Sequence, residues 1–233
     1  MRRDIVTSVI GIVVFTILLG LVYPLFVTGV GQVAFPGNAN GQQIHLDGKL
    51  VGSKIIGQNF GTPVLEKNGK VKEVKGAVVT EADPRYFQTR PSATEGGAYN
   101  AAASTFSNHG PNSTRTEEAD AENIKSYLEL NAAPNKQEYD PGLTVAKIPV
   151  DAVNSSASGL DPEISQANAW IQAHRIAAVR HLSLAEVDSL IADYTDSRGL
   201  GFSGERGVNV LELNLALDRG GHTVRSAGSG GKG

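Results

Sequence analysis

IVTSVIGIVVFTILLGLVYPLFVTGV (Ile5–Val30) holds no charged side chain across 26 residues, and 17 of them are Leu, Ile, Val or Phe. A helix needs about 20 such residues to cross a bilayer. At mid-membrane those 17 side chains favour insertion by an upper bound of about 5–10 kcal/mol. Thr7, Ser8, Gly11, Thr16 and Gly20 reduce that figure without changing its sign. Tyr23-Pro24 falls where an interfacial aromatic and a helix end or kink belong. A cleaved signal peptide has a shorter apolar region, about 7–15 residues, followed by a small-x-small site. The best such site here, Val27-Thr28-Gly29, lies inside the far end of the run, so the stretch reads as an uncleaved span.

Arg2 and Arg3 precede the span, and Lys49 is the one basic residue in the twenty that follow it. The positive-inside bias therefore predicts a cytoplasmic N-terminus and an extracytoplasmic main body. Thr16 and Gly20 form a small-x-x-x-small pair, the spacing that lets a second transmembrane helix approach. The same pair facing lipid is the plain alternative.

Beyond residue 30 the chain carries 19 basic and 23 acidic side chains. No basic stripe with interleaved aromatics occurs, which removes the electrostatic basis for nucleic-acid binding. The 233-residue chain has no cysteine, which excludes disulfides, thiolate metal sites and cysteine nucleophiles.

After the span, strands are expected at Gln42–Leu46 and Ser53–Phe60. A further strand, Lys70–Thr80, follows an Asn68-Gly69 hairpin signal. Residues 81–115 read as loop. Glu117–Asn131 has helical spacing with Ile124, Tyr127 and Leu128 on one side, Pro134–Pro141 reads as a linker, and Val145–Val150 as a strand. Ser165–Leu182 is expected to be a helix with Asn168, Gln172 and Arg175 along a polar face and Ala169, Ala173, Ile176 and Ala177 along another. Ser183-Leu184-Ala185-Glu186 spells a capping box, with Leu182 and Val187 at staple positions and Leu184, Val187, Leu190, Ile191 and Tyr194 as the buried stripe. Val208–Asp218 divides into a short strand to Val210 and a helix. Gly220–Gly233 is a Gly/Ser-rich tail expected to be flexible. The fold class is thus α+β: an anchor over 1–35, one mixed α+β soluble domain over 36–219, and the tail over 220–233.

No phosphate-binding Gly-x-x-x-x-Gly-Lys-Ser/Thr loop, P-type phosphorylation motif or Gly-x-Ser-x-Gly elbow is present. The five histidines (45, 109, 174, 181 and 222) have no metal-ligand spacing. The residues therefore predict neither catalysis nor a bound metal.

Several stretches together carry a resemblance: the span ending Tyr23-Pro24-Leu25, GSKIIGQNF (Gly52–Phe60), YFQTRPSA (Tyr86–Ala93), YNAAAS (Tyr99–Ser104), SNHGPNS (Ser107–Ser113), IPVDAVNSSASGLDPEIS (Ile148–Ser165) and VNVLELNLALD (Val208–Asp218). In this order they resemble the C subunit of the Kdp-type potassium-transporting P-type ATPase of bacteria. Residues 61–83 look like an insertion relative to shorter members, and ASTFSN departs from the family's usual glycine pair near Thr105 and Phe106. The resemblance implies an accessory subunit in the bacterial inner membrane. Its partners would be a potassium-conducting subunit, an ATP-hydrolysing P-type subunit and membrane lipid. It also implies a role in ATP binding, with Ser156, Ser158, Gly159 and Asp161 of SASGLD beside the nucleotide. Gln58, Asn59, Arg90, Ser92 and Asn108 are polar candidates for partner contacts, or turn formers within the domain.

The chemistry of SSASGLDPEIS (Ser155–Ser165) admits two readings. Amides of a Ser/Gly turn ahead of a helix can hold a phosphate. Asp161, Pro162 and Ser165 can equally start a helix with no ligand, and Asp161 and Glu163 repel phosphate. An extracytoplasmic body also places this loop away from ATP, so the charge bias and the family's ATP role pull apart. A membrane-anchored extracytoplasmic protein that binds a small ligand is the alternative function.

Overall fold

Arg2–Ala34 forms one helix, α1, in a computed structural model that describes residues 2–74, 76–110, 112–132, 139–199 and 201–220. Among the described residues it is the one helix long and apolar enough to cross a membrane. Its 33 residues reach about 50 Å at 1.5 Å each, more than a hydrocarbon core requires. All its large apolar side chains are exposed, as lipid contact requires. Leu18–Val22 is a π-helical turn, in which the Tyr23 amide donates to Leu18 O. Pro24 has no amide hydrogen to return to Gly20, and the widened turn re-registers the ladder there.

The chain divides into two compact units between Ser53 and Lys54. The first holds α1, one helical turn at Pro36–Ala39, and a hairpin of β1 (Gln43–Leu46) and β2 (Lys49–Ser53). Asp47 and Gly48, at φ 50° and 76°, close that hairpin. The expected strand at Ser53–Phe60 is therefore corrected to Lys49–Ser53, because the Asp-Gly turn sets the register earlier. Residues 57–60 instead run as irregular chain, with Gly57 N donating to Leu160 O at 2.8 Å.

The second unit opens with a flap. β3 (Gly61–Pro63) pairs antiparallel with β6 (Thr80–Ala82), and β4 (Glu73–Val74) with β5 (Ala77–Val78). Val64 N→Val79 O and Lys72 N→Val64 O, at 2.9 and 2.8 Å, join the two pairs. The Asn68-Gly69 turn forms as expected. The single strand expected over Lys70–Thr80 is broken by a second turn at Gly76, whose φ of +79° ends pairing.

The body has α2 (Thr114–Asn131), β7 (Glu163–Ser165), α3 (Gln166–Arg180), α4 (Leu184–Asp193), β8 (Thr195–Asp196), β9 (Gly207–Asn209) and α5 (Val210–Asp218). β9 lies between β7 and β8, antiparallel to both. Ile164 and Val208 from the sheet, Ala169, Ala173 and Ile176 from α3, Val187 and Ile191 from α4, and Val210, Leu213 and Leu217 from α5 share one core with Phe87. α3, α4 and α5 each start on a side-chain cap, whereas Ser113 ahead of α2 makes no side-chain cap bond. Ser165 accepts from Asn168 N, Ser183 and Glu186 complete the capping box, and Asn209 accepts from Glu212 N. Such caps contribute about 1 kcal/mol each.

Three expectations are corrected in the body. Val145–Val150 is not a strand but the site of two 3-10 turns, Val145–Lys147 and Val150–Ala152; Pro149 between them lacks a ladder donor. Leu184 is 38% exposed and leaves the buried stripe, because it occupies the first position of α4. The polar face assigned to α3 is buried: Asn168, Gln172 and Arg175 have at most 1% of their surface exposed. The linker expected at Pro134–Pro141 and the tail at Gly220–Gly233 lie outside the described residues except at 139–141 and 220.

Candidate functional site

Ser156–Asp161 forms a folded corner that packs on the segment running from Arg90 to Thr105. Its own side chains occupy its amides. Gly159 N donates to Ser156 Oγ at 2.9 Å, Leu160 N to Ser158 Oγ at 3.1 Å, and Glu163 N to Asp161 Oδ1 at 3.0 Å. The carbonyls are held from the other side. Ser92 Oγ donates to Gly159 O at 2.8 Å and Ser104 Oγ to Ser158 O at 2.9 Å. Arg90 Nη1 meets Asp161 Oδ2 at 2.9 Å, and the Tyr99 hydroxyl donates to Arg90 O. Burial pushes the Tyr99 phenol up to about 12, so it remains a donor at neutral pH.

Gly159 is required by two constraints at once. Its φ is +70°, and a Cβ there would lie 2.7 Å from Thr94 Cγ2 and 2.8 Å from Thr105 O. Gly57 is packed comparably, with a Cβ position 2.6 Å from both Asp161 O and Tyr99 Cε1. Ser156 and Gly159 are buried, while Ser158 is exposed. The corner does not begin a helix: Pro162 leads into β7, and Ser165 caps α3 after it.

Among the described residues, no group of three or more His, Cys, Asp or Glu side chains is arranged to hold a metal. Thr16 and Gly20 line a shallow groove on α1 with Ser8, Gly11, Ile12, Phe15 and Leu19.

The family model described as "K+-transporting ATPase, c chain" (KdpC) matches residues 5–219. This chain belongs to the KdpC family. The potassium-transporting ATPase KdpC subunit of Mycobacterium tuberculosis strain H37Rv is 45% identical over 219 residues, covering 94% of this chain and all of the relative. That of Methylococcus capsulatus is 46% identical over 207 residues, covering 89% and 93%. That of Streptomyces coelicolor is 41% identical over 208 residues, covering 88% of each. The resemblance carried by the short motifs is thereby borne out.

In this KdpC chain the motifs meet at two places. Arg90 and Ser92 of YFQTRPSA and Tyr99 of YNAAAS close on SASGLD. YFQTR is also gripped by Gln172 and Arg175 from the polar face of α3, and by Asn214 of α5. Gln172 Oε1 accepts from Gln88 N at 2.7 Å while its Nε2 donates to Gln88 O at 3.0 Å. Asn214 does the same for Phe87, at 2.9 and 3.0 Å. Arg175 donates to Pro84 O, Tyr86 O, Asn131 Oδ1 and Gln172 Oε1 at 2.5–3.0 Å. Asn168 accepts from Tyr127 OH at 2.8 Å and donates to Asp151 at 3.0 Å. Burial pulls Arg175 down to about 10, which leaves it cationic at neutral pH.

The remaining candidates are turn formers or braces. Gln58 O accepts from Thr89 Oγ1 at 3.1 Å, and Asn59 accepts from Gly61 N and donates to Thr80 Oγ1 at 3.0 and 2.8 Å. Asn108 sits at φ 56° and donates to Phe106 O at 3.1 Å. One signal for the buried amides was available in the sequence: Asn168, Gln172 and Arg175 recur at 4- and 3-residue steps beside an alanine-rich face, which leaves room for a chain segment to approach.

Proposed function

We propose that this chain is a non-catalytic accessory subunit of an ATP-driven potassium uptake complex. The match over residues 5–219, which takes in both α1 and the body, carries the reading. The relatives' name, potassium-transporting ATPase KdpC subunit, supplies the complex. In this reading α1 is anchored in the bacterial inner membrane and docks through the Thr16 and Gly20 groove. The body assists assembly with a potassium-conducting subunit and an ATP-hydrolysing P-type subunit. A tagged chain purified in mild detergent is expected to bring both along; recovery of the chain alone at native expression overturns the proposal.

The N-terminus is cytoplasmic and the body extracytoplasmic, a reading supported by Arg2 and Arg3 ahead of the span. The chain has no cysteine, so Ser158→Cys places a single thiol at an exposed position. A membrane-impermeant maleimide added to intact cells is expected to label it; labelling only after the cells are opened reverses the topology.

The contribution to ATP binding is indirect, through the assembled complex. This is supported by the amides of Gly159, Leu160 and Glu163 already bonding side chains of the same corner, and by the Asp161 carboxylate beside them. A photoreactive ATP analogue should label the ATP-hydrolysing subunit and spare this chain; a crosslink at Ser158 would establish direct contact instead.

A further inference from the structure

We infer that the flap between Gly61 and Ala82 is a docking surface for an anionic phospholipid bilayer. The inference rests on reading α1 as a membrane span.

Residues 61–82 (GTPVLEKNGKVKEVKGAVVTEA) carry four lysines and three glutamates, whereas the rest of the chain beyond residue 30 carries 15 basic and 20 acidic side chains. The flap is thus a cationic element on an anionic body. Residues 65–74 are exposed without a break. Leu65, Val71, Val74 and Val78 are among the exposed large apolar side chains, at 61%, 42%, 51% and 44%. Lys67, Lys70 and Lys72 form no ion pair with a described residue. Short two-stranded hairpins without a covered face are marginal in water. This flap leaves aliphatic surface in solvent, interspersed along the chain with exposed Lys67, Lys70 and Lys72 and with Glu66 and Glu73.

Two classes of surface complement that pattern: an acidic protein face and an anionic lipid face. Protein interfaces concentrate Trp, Tyr, Phe, Met and Arg and are depleted in Lys. The flap from 64 to 79 has lysine alone as its cation and no aromatic residue. Lysine and aliphatic residues alternating on short strands suit a headgroup layer. The ammonium groups reach phosphates, the stems lie along the apolar boundary, and the Val and Leu side chains leave water. α1 also confines the chain to the bilayer, which raises the local lipid concentration that the flap meets.

The test uses the full chain in lipid nanodiscs with a polarity-sensitive fluorophore on a single introduced thiol. Leu65→Cys reports on the flap, Val14→Cys on the span and Glu118→Cys on exposed α2. In phosphatidylglycerol-rich discs the Leu65 label is expected to shift to shorter wavelength and to be quenched by a spin-labelled lipid. In phosphatidylcholine discs it should not, and the Glu118 label should remain aqueous in both. Each lysine converted to glutamate among Lys67, Lys70 and Lys72 should lower the docked-to-undocked ratio at least about fivefold at low salt.

A Leu65 label that stays aqueous in anionic discs while the Val14 label is lipid-quenched overturns docking and leaves the span standing. Absence of both signals overturns both. Protection of the Leu65 label only when partner subunits are added, irrespective of lipid charge, overturns lipid docking in favour of an acidic protein face.

Discussion

α3 encloses Asn168, Gln172 and Arg175, whereas the flap leaves Lys67, Lys70 and Lys72 in solvent. The difference comes from shape and hydrogen-bond count rather than from polarity. A side-chain amide presents one donor and one acceptor side by side, the same pair that a strand presents. Gln172 and Asn214 therefore serve Gln88 and Phe87 as a neighbouring strand would, and the segment 86–88 finds its partners without joining a sheet. The guanidinium adds a planar fork, which places four donations from Arg175 onto oxygens that the fold needs satisfied. A lysine ammonium has three donors on a flexible stem and no such match, so it is cheapest at the surface.

This contrast can be broken most severely at Arg175. Arg175→Met removes the fork and leaves the fully buried Asn131 Oδ1 without its donor; Pro84 O loses its bond as well, while Tyr86 O keeps the one from Gln88 Nε2. The expected loss is about 3–5 kcal/mol, a fall in Tm on the order of 10 °C, read by circular dichroism in mild detergent. Arg175→Lys should recover little of it. Next comes Asn214→Leu, which keeps the volume and deletes both bonds to Phe87. A loss of about 2–3 kcal/mol is expected in chemical denaturation. If either variant is as stable as the parent chain, the amide and guanidinium bonds are incidental to the fold.

Glu163 sharpens the comparison with a smaller effect of opposite sign. Burial raises its pKa above the usual carboxylate range, with the Asp196 and Asp161 charges adding to the rise, Lys54 opposing it and Glu212 reinforcing it. A carboxyl whose pKa is higher folded than unfolded costs stability when ionised. That cost is present above the folded value and is relieved as pH falls through it toward the unfolded value. Glu163→Gln is expected to stabilise the chain at pH 7 and to remove the gain seen on acidification through this window. A destabilised variant would show that the carboxylate is matched after all.

The smallest effect belongs to the flap. Changing Lys67, Lys70 and Lys72 together to glutamate should leave detergent-solubilised stability within about 0.5 kcal/mol per site, as for exposed positions generally. A larger loss would mean that these lysines support the fold.

Much of the architecture was readable where local chemistry decides it. The capping box at Ser183, the Asn68-Gly69 turn, the strand-to-helix change at Asn209 and the apolar length of α1 depend on residues near in sequence. Legibility failed where a partner comes from far along the chain. Gln172 and Gln88 are 84 residues apart, and Phe87 and Asn214 are 127. Helical periodicity marks Gln172 as polar but does not say that an unpaired strand will lie against it. The Ser156–Asp161 corner shows the same limit. Its serines and glycine suggest an anion site in isolation, and only Ser92, Thr94 and Ser104 reveal how tightly the loop is fitted against another segment.

The π-helical turn at Leu18–Val22 inserts one residue into the winding of α1. One residue is about 100° of rotation, so the stripe continued from Ser8, Gly11 and Thr16 swings to another side of the rod beyond Tyr23. A single straight companion helix can follow only one half. The N-terminal and C-terminal halves of the helix are therefore suited to different neighbours, and deleting one residue within the turn would force them back into phase.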